Sequence, residues 1–333
     1  MWIPTSYAAA AGIMLLSMLC WGSWDNTQKL DRSWRFELFY WDYMWGLLAC
    51  ALLAGLTLGR IHAAAPGSLF HDLAHAGGGA WLEAFLGGAI FNVGNLLLVA
   101  AISIAGMAVA FPLGSGLALV IGASLNYVIA PAGNPRLLFG GILLICGAIF
   151  ADALAYRRHA RDAGAGRQAG AKGIGLSLAC GVVLGLFYPL VAKAMTGPRP
   201  LGPYAVFLVF ALGALASNLP ANYALMRRPV VGAPLTLRNY FQGRAGQHAW
   251  GIAGGLIWGV GTICSFAASA VPLVGPAASF SMSQGNTMIS ALWGVFVWQE
   301  FRGAGRGVRR LLALTFALFV AGLTVIALAP VLR

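Results

Sequence analysis

The chain is 333 residues long, 59% hydrophobic and only 9% charged, with a net charge of +12. A soluble globular domain carries about 25% charged residues, so this composition excludes an ordinary soluble domain and indicates an all-α polytopic membrane protein. The surplus of Lys and Arg sits in short stretches between apolar runs. There it orients a chain in a bilayer and does not signal nucleic acid.

A hydrocarbon core of about 30 Å calls for about 20 apolar residues per helix. Runs of that kind occupy 4–24, 36–58, 80–102, 107–129, 136–156, 173–194, 203–226, 248–270, 275–298 and 309–329, which predicts ten transmembrane helices. The first run lacks a basic leader and reads as an uncleaved helix. Between it and the second, "CWGSWDNTQKLDRSWRFELFYWDYMWG" (20–46) gathers acids, bases and five tryptophans. Gly106 separates the third run from the fourth, and "VPLVGP" separates the eighth from the ninth. Pro112, Pro189 and Pro220 lie inside runs, where proline frees a carbonyl and kinks a helix. Cys20, Cys50, Cys146, Cys180 and Cys264 show no framework or metal-ligand spacing and read as buried small residues.

The chain repeats itself. "GGAIFNVGN" (87–95) matches "GGLIWGVGT" (254–262) at a shift of 167, and "GMAVAFPLGSG" (106–116) matches "GPAASFSMSQG" (275–285) at a shift of 169. Two collinear matches predict a first repeat over 1–156, a basic linker over 157–172 and a second repeat over 173–333. Five helices per half make the repeats inverted, as in many transporters. The loops after odd-numbered helices hold 16 of the 21 Lys and Arg. The positive-inside rule then places those loops in the cytoplasm and both termini outside; the expected location is a bacterial inner membrane.

Uncharged polar residues gather at mid-helix positions. Asn92 and Asn95 share a face of the third helix, and Ser283, Asn286, Thr287 and Ser290 form a stripe on the ninth, with Gln284 about 100° round from Ser283. Thr262 occupies the repeat position of Asn95, and the seventh helix supplies Ser217, Asn218 and Asn222. Hydrogen bonds between helices account for one or two such residues. A polar solute cavity accounts for the whole group. Trp21, Trp24 and Trp41 are candidates to stack on a solute near the inner gate, with an interfacial aromatic belt as the alternative. Asp42 lies deeper along its helix than an interfacial charge needs to, so it is the first candidate for coupling to protons, ahead of Asp25 and Glu37, which Lys29, Arg32 or Arg35 can pair. Glu83, Asp152 and Glu300 read as interfacial charges.

"GAGRQAGAKG" (164–173) lacks the strand and the Lys-Ser/Thr pair of a phosphate-binding loop and reads as a linker. With no zinc motif, nucleotide fingerprint or nucleophile–base pair, no cofactor and no enzymatic activity are expected.

The ten helices in two halves resemble the drug/metabolite transporter superfamily. "WGSWDNTQK" (21–29) resembles the end of the first helix in the glucose/ribose and rhamnose porters, and "ALWGVFVWQEF" (291–301) resembles the superfamily's ninth-helix ending. "FELFYWDY" (36–43) and "GMAVAFPLG" (106–114) are similar to bacterial relatives of the plant ureide permeases. Residues and resemblance together lead to the expectation of a secondary transporter for a small neutral polar metabolite (a sugar, ureide or nucleobase). Its partners are the lipid bilayer, the solute and, as a candidate, protons. The alternative is a drug or lipophilic-compound exporter of the same superfamily.

Overall fold

The computed structural model describes residues 1–31, 33–61, 68–106, 109–110, 112–162 and 170–332. Arg32, Phe111, Arg167 and Arg333, and linker residues 163–169, therefore lie outside the described residues. Among the described residues every regular element is helical. The helices are α1 (Tyr7–Trp21), α2 (Asn26–Lys29), α3 (Phe36–Leu56), α4 (Leu69–His75), α5 (Gly78–Ala105), α6 (Leu117–Ile129), α7 (Pro135–Asp162), α8 (Ala171–Thr196), α9 (Pro203–Arg227), α10 (Leu237–Phe241), α11 (Ala245–Ser269), α12 (Gly275–Ser283), α13 (Asn286–Leu292) and α14 (Arg306–Leu328). Short π-helical turns at Pro112–Gly116 and Trp293–Val297 precede α6 and follow α13.

Nine helices among the described residues are long and apolar enough to cross a membrane. Large apolar side chains point away from the bundle, among them Val128 at 76% and Leu143 at 73% exposure. In water that surface would be an aggregation hazard, whereas in lipid it is the required coat. The protein is an integral membrane protein. Helices dominate because hydrocarbon offers backbone N–H and C=O groups no partner, so each segment must satisfy its own.

The run at 275–298 departs from a plain helix. It is built from α12, a turn at Gln284–Gly285, α13 and the π-helical turn. Gln284 and Gly285 carry no proline; of the expected breakers, Pro112 opens a π-helical turn, while Pro189 and Pro220 sit inside the unbroken helices α8 and α9. The fifth helix, expected to end at 156, continues to Asp162. The turns at Gly106 and Gly275 form as expected. Both glycines take positive φ, +77° and +67°, which L side chains rarely adopt.

Helix packing is set by glycines that bring backbones together. A Cβ at Gly88 would lie 1.9 Å from the Phe210 carbonyl oxygen, and one at Gly213 would lie 2.0 Å from that of Phe85, so α5 and α9 cross almost backbone to backbone. A Cβ at Gly255 would lie 2.0 Å from the Tyr43 carbonyl oxygen and one at Gly46 would lie 2.2 Å from that of Ile252, so α11 and α3 cross the same way. The four positions of the first crossing equal those of the second at a shift of 167. Other packings exchange likewise: α5 lies along α8 as α11 lies along α1, while α7 pairs with α14 and α3 with α9.

Candidate functional site

A cavity of about 390 Å³ runs from the end of the bundle that bears the odd-numbered loops to mid-bundle. Its deep wall is aromatic. Trp258, the fourteenth residue of α11, stacks on Phe91 at 4.3 Å between ring centroids and on Trp21 at 5.5 Å. Phe91 and Trp258 hold equivalent positions in the two repeat segments, so the shared aromatic place "F91/W258" was legible in the sequence although neither ring was singled out. Phe187 and Phe280 complete this wall.

Polar side chains stand beside the rings. Asn95 lines the cavity, and its amide donates to Tyr40 Oη at 2.9 Å. That bond fixes which way the amide points and leaves its carbonyl oxygen for a solute. Gln284, Asn286, Thr287 and Ser290 also line the cavity. The break at Gln284–Gly285 is what turns these four inward, because a turn between α12 and α13 frees backbone and side chains from a single helical face. Breaks of this kind mark solute sites in many transporters.

The mouth is charged. Asp25, Gln28 and Lys29 come from the α1–α2 region, Asp152 and Tyr156 from α7, and Glu300 from the loop before α14. Lys29 Nζ donates to Glu300 Oε1 at 3.2 Å, and Tyr156 Oη donates to Glu300 Oε2 at 2.7 Å. Lys29 thus pairs with Glu300 and not with Asp25 or Glu37. Asp152 and Glu300, read from sequence as interfacial charges, belong to the cavity. The sequence carried no signal for this, because a charge near a helix end looks the same whether it faces lipid headgroups or the bundle.

Towards the opposite end the cavity is closed by fully buried Tyr188, Phe266 and Phe280. A hydroxyl network reinforces the closure. Tyr188 Oη meets Ser265 Oγ at 2.9 Å, Ser283 donates to Ser265 at 3.1 Å, and Ser17 meets Ser283 at 3.1 Å. A second cavity of about 600 Å³ lies beyond, lined by His71, His75, Arg199 and Pro276 among others. It is larger, but none of the mid-helix amides reaches it.

The expected site residues therefore divide. Trp21, Trp24, Asp25, Asn95, Gln284, Asn286 and Thr287 line the cavity. Asn92, Thr262, Ser283, Asn218 and Trp41 do not. Asn92 donates to Ser217 Oγ at 2.9 Å, Thr262 accepts from Trp21 Nε1 at 3.1 Å, and Trp41 Nε1 points at Met226 Sδ, 3.0 Å away. These contacts join helices. Asn218 is buried with neither amide atom partnered; we have no physical account of it.

Glu37 is taken by Arg35, whose Nε lies 3.2 Å from Oε2. Asp42 is also outside the cavity, in a cage of donors. Its carboxylate accepts from Tyr240 Oη at 2.7 Å, His248 Nδ1 at 2.9 Å and Trp34 Nε1 at 3.3 Å. Burial, and then the Asp42 carboxylate, push the Tyr240 hydroxyl well above its usual range. Close by, Arg244 pairs with Asp31 at 2.9 Å, and the Ser33 hydroxyl is the main reason the Asp31 carboxyl is held below its usual range. The cage thus ties the loop between α9 and α11 to the loop before α3.

An apolar bundle with a half-open, amide- and ring-lined cavity has the form of a membrane transporter for small molecules. The family comparison agrees. The family described as "Sugar transport protein" matches residues 49–329, and the chain belongs to that family. The chain is similar to three proteins of Arabidopsis thaliana: Ureide permease 4, 24% identical over 400 residues, Ureide permease 1, 23% over 389, and Ureide permease 2, 23% over 397. Each alignment covers 98% of both chains. The protein is a transporter of small polar metabolites and not an enzyme.

Proposed function

We propose that the chain is a secondary transporter that carries a small, neutral, polar metabolite by alternating access. The observation that carries the reading is the cavity itself. Neutral donors and acceptors (Asn95, Gln284, Asn286, Thr287) line the same space as aromatic surfaces (Trp21, Phe91, Trp258), with the charged mouth at one end. Amides and hydroxyls replace the water bonds of a neutral solute, and the rings cover its flat or apolar faces. A sugar, a ureide and a nucleobase all fit this chemistry, and the names of the family and of the plant relatives fall within it. A lipophilic cation is less well served, because the carboxylates stand at the mouth and the deep wall is neutral.

The alternating mechanism rests on two inverted halves. The matched crossings of α5 with α9 and of α11 with α3 support this, as do the matched turns at Gly106 and Gly275. Exchanging the packing of equivalent helices would close the present opening and open the other end. The distribution of Lys and Arg supports an orientation with the present opening in the cytoplasm and both termini outside. A C-terminal reporter active on only one side of the membrane is expected to report the outside. A cytoplasmic signal from a stable, full-length fusion reverses the orientation.

Exchange of labelled ureide, hexose, nucleobase and a cationic drug across proteoliposomes tests the solute class. Asn95→Ala and Asn286→Ala are each expected to lower exchange of the accepted solute about tenfold, the loss of one solute hydrogen bond of roughly 1.4 kcal/mol. Normal exchange by both variants at matched protein would mean that the solute sits elsewhere.

A further inference from the structure

The mouth of the cavity holds more negative charge than recognition of a neutral solute needs. Asp25, Asp152 and Glu300 face a single cation among the described lining residues, Lys29. Lys29 is committed to Glu300 at 3.2 Å, and the remaining Glu300 oxygen accepts from Tyr156 at 2.7 Å. Asp25 accepts from the Asn26 amide at 3.4 Å.

Asp152 is different. It is only 7% exposed, it lines the cavity, and its Oδ1 is buried with no hydrogen-bond partner. Tyr156 is one helical turn on and so shares its face, which places Asp152 beside the Glu300 clasp. Among the described residues, no element packed against α7 turns a cation towards Asp152. The Pro112–Gly116 turn has no titratable residue, and the one titratable group of α6, Tyr127, lies near that helix's far end. On α14, Arg306, Arg309 and Arg310 are exposed, and Arg309 is turned to the Ala304 carbonyl.

An ionised carboxylate with an unpartnered buried oxygen, close to a second carboxylate, is costly, and a bound proton removes that cost. A metal ion fits the described residues less well. They contain no group of three or more His, Cys, Asp or Glu placed to hold one.

We propose that Asp152 is the proton-carrying residue of the transport cycle. Resting on the transporter reading above, this assigns the driving ion to a residue of the same cavity. One proton binds the Asp152 carboxylate in one conformation and returns to water in the other, and no other bond is made or broken. The clasp of Lys29, Glu300 and Tyr156 ties α2, the loop before α14 and α7 together across the mouth. A change of charge at Asp152 is therefore felt where the mouth must open and close.

The experiment has two arms. In the first, infrared titration of the purified protein without solute follows protonated carboxyl groups. The parent is expected to show a buried carboxyl that loses its proton as pH rises, and Asp152→Asn to lack it. In the second, proteoliposomes are given a pH gradient. The parent is expected to accumulate solute at least tenfold. Asp152→Asn should lose that accumulation while keeping measurable exchange at equal concentrations, and Asp152→Glu should restore part of it. Glu83→Gln, whose partner is Lys193 on a neighbouring helix, should match the parent. The proposal is overturned if Asp152→Asn accumulates as the parent does, or if the titrating carboxyl survives in that variant. It is also overturned if a parent that exchanges solute ignores the gradient. A parent that exchanges none of the solutes overturns the transporter reading instead, and the infrared arm still decides whether Asp152 binds the proton.

Discussion

Gly88→Ala and Gly255→Ala are each expected to destabilise the protein by about 3 kcal/mol, the upper end for an overpacked core. The two losses should be similar. A methyl at Gly88 would sit 1.9 Å from a carbonyl oxygen of α9, and a methyl at Gly255 would sit 2.0 Å from one of α3. Neither neighbour is a side chain that can rotate away, so whole helices must separate. That separation also breaks the reciprocal contacts at Gly213 and Gly46. In lipid this loss is severe, because close packing drives association where no hydrophobic force acts between helices. Gly175→Ala is the control. No atom lies within 4 Å of a Cβ built there, so the change should be neutral or stabilising by up to about 1 kcal/mol through helix propensity. Thermal melting in detergent, read by tryptophan fluorescence, checks all three. If Gly88→Ala melts with the parent, α5 and α9 do not cross this closely, and the paired-halves reading loses its main support.

Asp42→Ala is expected to cost the protein about 3 kcal/mol, by removing the carboxylate that three donors share. Tyr240, His248 and Trp34 all donate to the one carboxylate. Leaving a buried donor unsatisfied costs about 1–3 kcal/mol. Asp42→Asn keeps one acceptor oxygen but turns an amide N–H₂ towards donors, so it should lose roughly half as much. The loop at 228–244 should become more open to protease in both variants, since Tyr240 lies in it. Accumulation by folded Asp42→Asn should persist, because the cage is separate from the cavity. The opposite result, a parent-like melting point with accumulation abolished, would make Asp42 the coupling acid, as its depth in the sequence suggested.

What the chain determined locally is its membrane class, its helices and its turns. Hydropathy over about 20 residues marks a span wherever that span is packed. A glycine at positive φ marks a turn from its own backbone, as at Gly106 and Gly275. The matched segments were legible too, and with them the correspondence of Phe91 and Trp258, which both line the cavity.

Tertiary structure alone decided which polar groups face one another. Asp42 and Asp152 are each an acid inside an apolar run, and depth along the helix singled out Asp42. One meets three donors brought in from the 34–35 loop, α10 and α11; the other meets an open cavity and a second carboxylate. The difference lies in helices distant along the chain, and helical periodicity says which face a residue shares but not what that face will meet. Likewise the ninth run was broken at Gln284–Gly285, where no proline stands, while Pro189 and Pro220 were absorbed. A membrane helix tolerates proline when neighbouring helices satisfy the freed carbonyl, and the break at Gly285 lies where the ends of the Met18 and Leu323 side chains pack close to the backbone.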